Sequence, residues 1–212
     1  MTTTAQDNLV HLQQMLQRSR AELKRLEQER AKLEKTLEQI DEHLEAISQS
    51  GESDLVDAVV KGNLNGVRDL LRKGADPNIK TPEAEPVLLV AAYRRRGFAI
   101  VKELIKAGAD VNAADDEGNT ALIVSVRDEN LSLVKELIRG GANVNARNSE
   151  GDTPLTNAAC WGSARVVKFL LAISADPNLT DGMKVSAAEL ARQHRHVAIA
   201  ALIERHQKRS RS

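Results

Sequence analysis

Apolar residues recur alternately three and four positions apart along the first fifty residues: Leu9, Leu12, Leu16, Leu23, Leu26, Leu33, Leu37, Ile40, Leu44 and Ile47. With Leu9 at heptad position a, ten of the twelve a and d sites are apolar, the exceptions being Ser19 at d and Arg30 at a. A 3.5-residue period sustained without Gly or Pro predicts one long coiled-coil-like helix over residues 7–48. At 1.5 Å per residue, Leu9 to Ile47 spans about 58 Å. Only the stripe is apolar, so a lone helix leaves it wet and the segment needs a partner. A parallel homodimer sets Glu22 against Glu27′, Glu29 against Glu34′ and Arg30 against Arg30′, which is mildly unfavourable. Antiparallel pairing or a basic hetero-partner avoids some of that repulsion, and docking in cis onto the following domain is the alternative to pairing with another chain.

After Gly51 the pattern changes to a longer repeat. Gly74-Ala75-Asp76-Pro77-Asn78, Gly108-Ala109-Asp110-Val111-Asn112, Gly141-Ala142-Asn143-Val144-Asn145 and Ser174-Ala175-Asp176-Pro177-Asn178 follow one another at spacings of 34, 33 and 33 residues. Thr120-Ala121-Leu122, Thr153-Pro154-Leu155 and Ser186-Ala187-Ala188 keep the same period, as do the apolar runs at Ile100–Ile105, Leu133–Ile138 and Val166–Leu171. Three signals in one register mark a repeat architecture. Each unit reads as a helix pair. Thr153-Pro154 starts a helix, since a hydroxyl caps free N–H groups and proline suits the first turn. Small residues (Ala91, Ala92, Ala158, Ala159) follow on the inner helix and let neighbours approach closely. The outer helix carries Val134, Leu137 and Ile138 and stops at Gly140-Gly141, and residues 145–151 form a hairpin tip. No single unit buries its own apolar face, so stability comes from stacking.

These residues resemble the ankyrin-repeat family over about residues 53–205. The expected fold is therefore all-α: an ankyrin-repeat solenoid of about five helix-pair units preceded by the long coiled-coil-like helix. The expected segments are a polar tail (1–6), the helix (7–48), a linker (49–53), units at 54–80, 81–113, 114–146, 147–179 and 180–205, and a basic tail (206–212). Several departures from the family pattern stand out. Pro86 replaces the usual Thr, and the turn Tyr93-Arg94-Arg95-Arg96-Gly97 holds one extra residue. Glu129-Asn130 replaces Gly-His, and Lys184 sits at the usual glycine of the last hairpin, with Gly182 two positions early.

The resemblance implies a protein or peptide partner on a concave side made of hairpin tips and the exposed ends of inner helices. Carried over position by position, that stripe holds Tyr93 and Arg94, Arg127 and Asp128, Cys160 and Trp161, and Gln193 and His194. Tyr, Trp and Arg are the types enriched at binding hot spots. Arg95 extends the basic patch, while Asp115, Asp116 and Glu117, with Glu83 and Glu85, make acidic tips opposite it. A partner bearing both charges, or an acidic peptide along the arginines, suits that arrangement. The opposing reading has Trp161 packed over a helix end and the charges simply solvated.

Composition narrows the field further. Lys+Arg and Asp+Glu both number 30, giving a formal net charge of zero, which disfavours nucleic acid as a partner. Aromatic residues make up 2%, in keeping with thin Leu/Ile/Val/Ala layers. The single cysteine, Cys160, excludes an internal disulfide and a multi-cysteine zinc site. No stretch reaches membrane-span length and no secretory leader is evident, so a cytoplasmic protein is expected, with a nuclear location or export as an effector as the alternatives. His194-Arg195-His196 lacks the spaced partners of a metal site, and the resemblance gives His196 a structural turn role. Neither a triad nor a phosphate loop is apparent. No metal, cofactor or catalytic residue is expected. Asn112 and Asn145, each in Val-Asn-Ala, resemble the target of an asparaginyl hydroxylase, but a hydrogen bond across the hairpin explains them without any enzyme and is the preferred reading. The functional expectation is a non-enzymatic adaptor or scaffold. The alternatives are a stoichiometric inhibitor of an enzyme or transcription factor, or a bacterial or viral host-targeting effector.

Overall fold

The computed structural model describes residues 20, 23–38, 54–94, 96–127 and 129–209. The chain divides into two units, Met1–Ser50 and Gly51–Ser212. In the first, residues 23–38 are helical, and Leu23, Leu26, Leu33 and Leu37 are 58–66% exposed. Charges on the same segment pair along the helix, Arg25 with Glu29 at 3.3 Å and Arg30 with Glu34 at 2.8 Å. The other seam positions named above (Leu9, Leu12, Leu16, Ile40, Leu44 and Ile47) lie outside the described residues.

Among the described residues, the regular elements of the second unit are helices joined by turns and hairpins. Helix α1 spans residues 54–61 and is followed by α2 (Leu64–Arg72), α3 (Val87–Tyr93), α4 (Phe98–Lys106), α5 (Ala121–Ser125) and α6 (Leu131–Arg139). Then come α7 (Pro154–Cys160), α8 (Ala164–Ala172), α9 (Ala187–Gln193) and α10 (Val197–Arg209). They pack in two rows. Helices α3, α5, α7 and α9 touch in sequence as the inner row, and α2, α4, α6, α8 and α10 do so as the outer row. The inner row can be this close because its contact residues are small: Ala91, Ala121, Ala158, Ala159, Ala187 and Ala191 are fully buried. One apolar cluster threads every unit from Leu55 to Ile203, as expected of an architecture in which each module buries its face on the next. Helix α10 continues through Arg209, so His206, Gln207, Lys208 and Arg209 of the basic end are helical.

Local chemistry explains the helix starts. The Thr120 hydroxyl accepts from the Ile123 N–H at 3.3 Å. Thr153 and Thr156 form a reciprocal capping box, and Ser186 accepts from Glu189. Pro86 offers no such cap. Outer helices α2 and α6 are capped by Asn63 and Asn130; at α8, the Ser163 hydroxyl instead donates to the Val126 carbonyl of the preceding unit at 2.8 Å.

The period is written into the backbone as well. Left-handed residues recur at the hairpin tips (Ala84, Gly118, Gly151, Lys184), between the helices of a pair (Gly62, Glu129, Gly162, Arg195) and after the outer helix (Gly74, Gly108, Gly141, Ser174). Five of these twelve are not glycine, so the fold imposes the conformation even where the side chain resists it. The hairpins with Ala84 and Lys184 thus keep the local geometry of their glycine-bearing neighbours.

The asparagines that end the first three consensus segments tie one unit to the next. Asn78 donates to the Gly108 carbonyl at 3.3 Å and accepts from the Asp110 N–H at 2.7 Å. Asn112 does the same with Gly141 and Asn143, at 3.1 and 2.8 Å. Asn145 accepts from the Asp176 N–H at 2.9 Å. These are bonds between successive units, more far-reaching than a link within one hairpin.

Candidate partner-binding face

The C-terminal ends of the inner helices and the hairpin tips share one face. Tyr93 closes α3 and is 50% exposed; Trp161 caps α7 and is 51% exposed. Between them in sequence lies Arg127, just past α5, whose guanidinium carbon sits 4.4 Å from the centroid of the Trp161 ring. A stacked guanidinium over an indole is a favourable cation–π arrangement. Trp161 therefore packs on its neighbour and still presents half its surface. A pocket of about 300 Å³ opens alongside, lined by Tyr93, Arg94, Ser125, Arg127 and Asn130 among others.

Arg94 is committed elsewhere. It donates to the Val60 carbonyl at the end of α1, one of the carbonyls a helix leaves without a partner. The arm crosses Gly62, where an added Cβ would come 3.0 Å from its Nη2. Expected as a contact residue, Arg94 serves first as a brace between units. Asp115 is similarly occupied: its carboxylate accepts from the Glu117 and Asn119 N–H groups at 3.0 and 2.8 Å and so shapes its own tip. Asp116 and Glu117 stay exposed. Arg95 and Asp128 lie outside the described residues.

The charges of the tips reach this face. The Tyr93 hydroxyl is pushed above its usual range, first by burial, then by the charges of Asp115, Glu85 and Glu117, with Arg127 opposing. Asp152 is raised by burial and by Glu150 and Asp181. The acidic character thus continues beyond the first half of the hairpin side, where the sequence had placed it.

Cys160 meets His194 through Sγ and Nε2 at 3.3 Å, a contact that resembles a nucleophile–base pair. Its thiol is nevertheless pushed up, by burial and then by Asp152, whereas an activated thiol is pushed down by neighbouring positive charge. His196 contacts the Cys160 carbonyl through Nε2 at 3.1 Å. Its ring lies over Gly162, where an added Cβ would fall 2.5 Å from Cε1, so His196 locks the last two units together. Among the described residues, no group of three or more His, Cys, Asp and Glu side chains is placed to hold a metal, and no helix is long and apolar enough to cross a membrane.

Three side-chain contacts in this region were not read from the sequence: Arg94 to Val60, Arg127 to Trp161 and Cys160 to His194. Each joins residues 34 apart, so the repeat register itself carried the signal.

A family model described as ankyrin repeats (3 copies) matches residues 88–181. That span runs from α3 to the last hairpin and contains Tyr93, Arg127 and Trp161. Repeats of this type are typically a non-enzymatic module for protein–protein interaction. Two rows of stacked helix pairs, a 33-residue register and this match agree: the chain carries an ankyrin-repeat array.

Proposed function

We propose that this protein is a non-enzymatic adaptor. Its repeats hold a protein or peptide segment on the concave face, and its N-terminal leucine stripe associates with another chain. The observation that carries the first half is the half-exposed Trp161, held under Arg127 on the same stripe as Tyr93. A large ring kept in place yet open to solvent provides contact area at little entropic cost. The second half rests on Leu23, Leu26, Leu33 and Leu37, all exposed on one helical segment. Joining two grips in one chain raises the effective concentration of what each holds.

Affinity purification with the full chain, with residues 1–50 deleted and with Trp161→Ala tests the reading. The deletion is expected to lose one set of binders and Trp161→Ala another. Retention of every binder by both altered forms would end the two-grip account.

A further inference from the structure

Arg127 stands where three features of the face meet. It stacks on Trp161, its charge reaches the Tyr93 hydroxyl, and it lines the pocket beside α3 and α5. Among the described residues, its guanidinium takes part in no ion pair. Three of the pocket's other polar side chains have partners of their own. Arg94 donates to the Val60 carbonyl, the Ser125 hydroxyl donates to the Leu122 carbonyl at 3.0 Å, and Asn130 accepts from the Leu133 N–H at 3.1 Å.

A guanidinium held over an indole still carries N–H donors, all in its own plane, for a further partner. The group that matches such donors is a carboxylate, through two parallel N–H···O bonds. Stacking also orders the long side chain in advance, so less freedom is lost on pairing.

The surrounding charge restricts which carboxylate can arrive. Glu85, Asp115 and Glu117 bear on Tyr93, Asp116 is exposed at the same tip, and none of the four is in an ion pair among the described residues. A run of acidic residues would meet their field, and like charges brought together are disfavoured. Resting on the partner-binding reading above, we infer that Arg127 receives a single carboxylate side chain from an extended partner segment. The residues flanking that carboxylate are Lys or Arg and face Glu85, Asp116 and Glu117. The face then discriminates by both signs: the tips turn away a polyacidic segment, and Arg127 turns away a purely basic one.

The test uses the full chain and a displayed library of random peptides. Selection on the wild type is expected to enrich peptides with one Asp or Glu between basic residues. The winning peptide, synthesised, should bind at least about tenfold more weakly when its acid becomes the amide, and when the protein carries Arg127→Gln. Arg127→Lys should recover only part of the loss, because it restores charge without the planar fork. Glu85→Gln/Asp116→Asn/Glu117→Gln should weaken the winner and relax selection towards more acidic peptides. Winners without an acid, uniformly acidic winners, or a winner indifferent to Arg127→Gln would overturn the inference while leaving the face intact, provided Trp161→Ala still weakened binding. Winners indifferent to Trp161→Ala as well would overturn the binding face itself, and so would a library that yields none. Circular dichroism of each variant shows that the array is still folded.

Discussion

At the second unit's inter-helix turn, Gly97 lies against the end of α3. An added Cβ there would lie 1.8 Å from the Ala91 carbonyl oxygen, part of the backbone, which has no side-chain freedom with which to yield. Gly97→Ala is therefore expected to destabilise the array by about 2–3 kcal/mol, the upper range for overpacking, as read by chemical denaturation. Lys184 presents the opposite case, a side chain in a left-handed position (φ 62°) that glycine fills in two other hairpins. Lys184→Gly should raise stability by roughly 0.5–1 kcal/mol, since relief of the backbone strain exceeds the entropy that glycine adds to the unfolded chain. Asp152 gives a pH signature. Its folded pKa is raised, by burial and by Glu150 and Asp181, so its ionised form opposes folding above that pKa and its protonated form does not. Asp152→Asn should therefore stabilise the protein near neutral pH. The gain should fade as the pH falls through the raised carboxylate range, as followed by denaturation at several pH values.

At the scale of elements, the junctions between units depend on single asparagines. Asn112 bridges to the Gly141 carbonyl and the Asn143 N–H. Asn112→Ala removes both bonds at an exposed position, with an expected cost of about 1–2 kcal/mol. The direct reading is amide exchange, which should quicken at Asn143 while the α10 amides keep their protection. Much of this level was legible beforehand. The 33-residue register located the helix pairs, the Thr153 cap and the Gly141 stop, because each depends on local chemistry that repeats in the chain. The double use of Asn78 and Asn112 was less legible, because their partners are backbone groups roughly thirty positions away, and no side-chain pattern marks a carbonyl. The engagement of Arg94 was hidden for the same reason: its acceptor is the backbone of Val60, and the sequence around Tyr93 reads only as a basic patch. Conversely, Tyr93 and Trp161 were identified correctly as exposed, since the register put them at positions that follow the buried Ala-Ala pair. For the 23–38 segment, the account expects Leu26→Gln/Leu33→Gln to reduce any self-association measured by light scattering. An unchanged mass that already equals one chain would leave hetero-pairing or docking in cis as the role of the stripe.

The molecule as a whole combines a stacked array, whose inner-helix ends hold an aromatic–arginine group, with a segment whose leucines are exposed. The central claim is that Trp161 and Arg127 make the face by which the repeats hold a partner. It is tested most directly by the dissociation constant of one purified binder for the wild-type chain, for Trp161→Ala and for Arg139→Ala. Arg139 ends α6 in the outer row and, among the described residues, pairs only with Glu136 in its own helix. The account predicts a loss of at least about tenfold for Trp161→Ala and none for Arg139→Ala. Equal affinity for the wild type and Trp161→Ala, or a loss confined to Arg139→Ala, would contradict it.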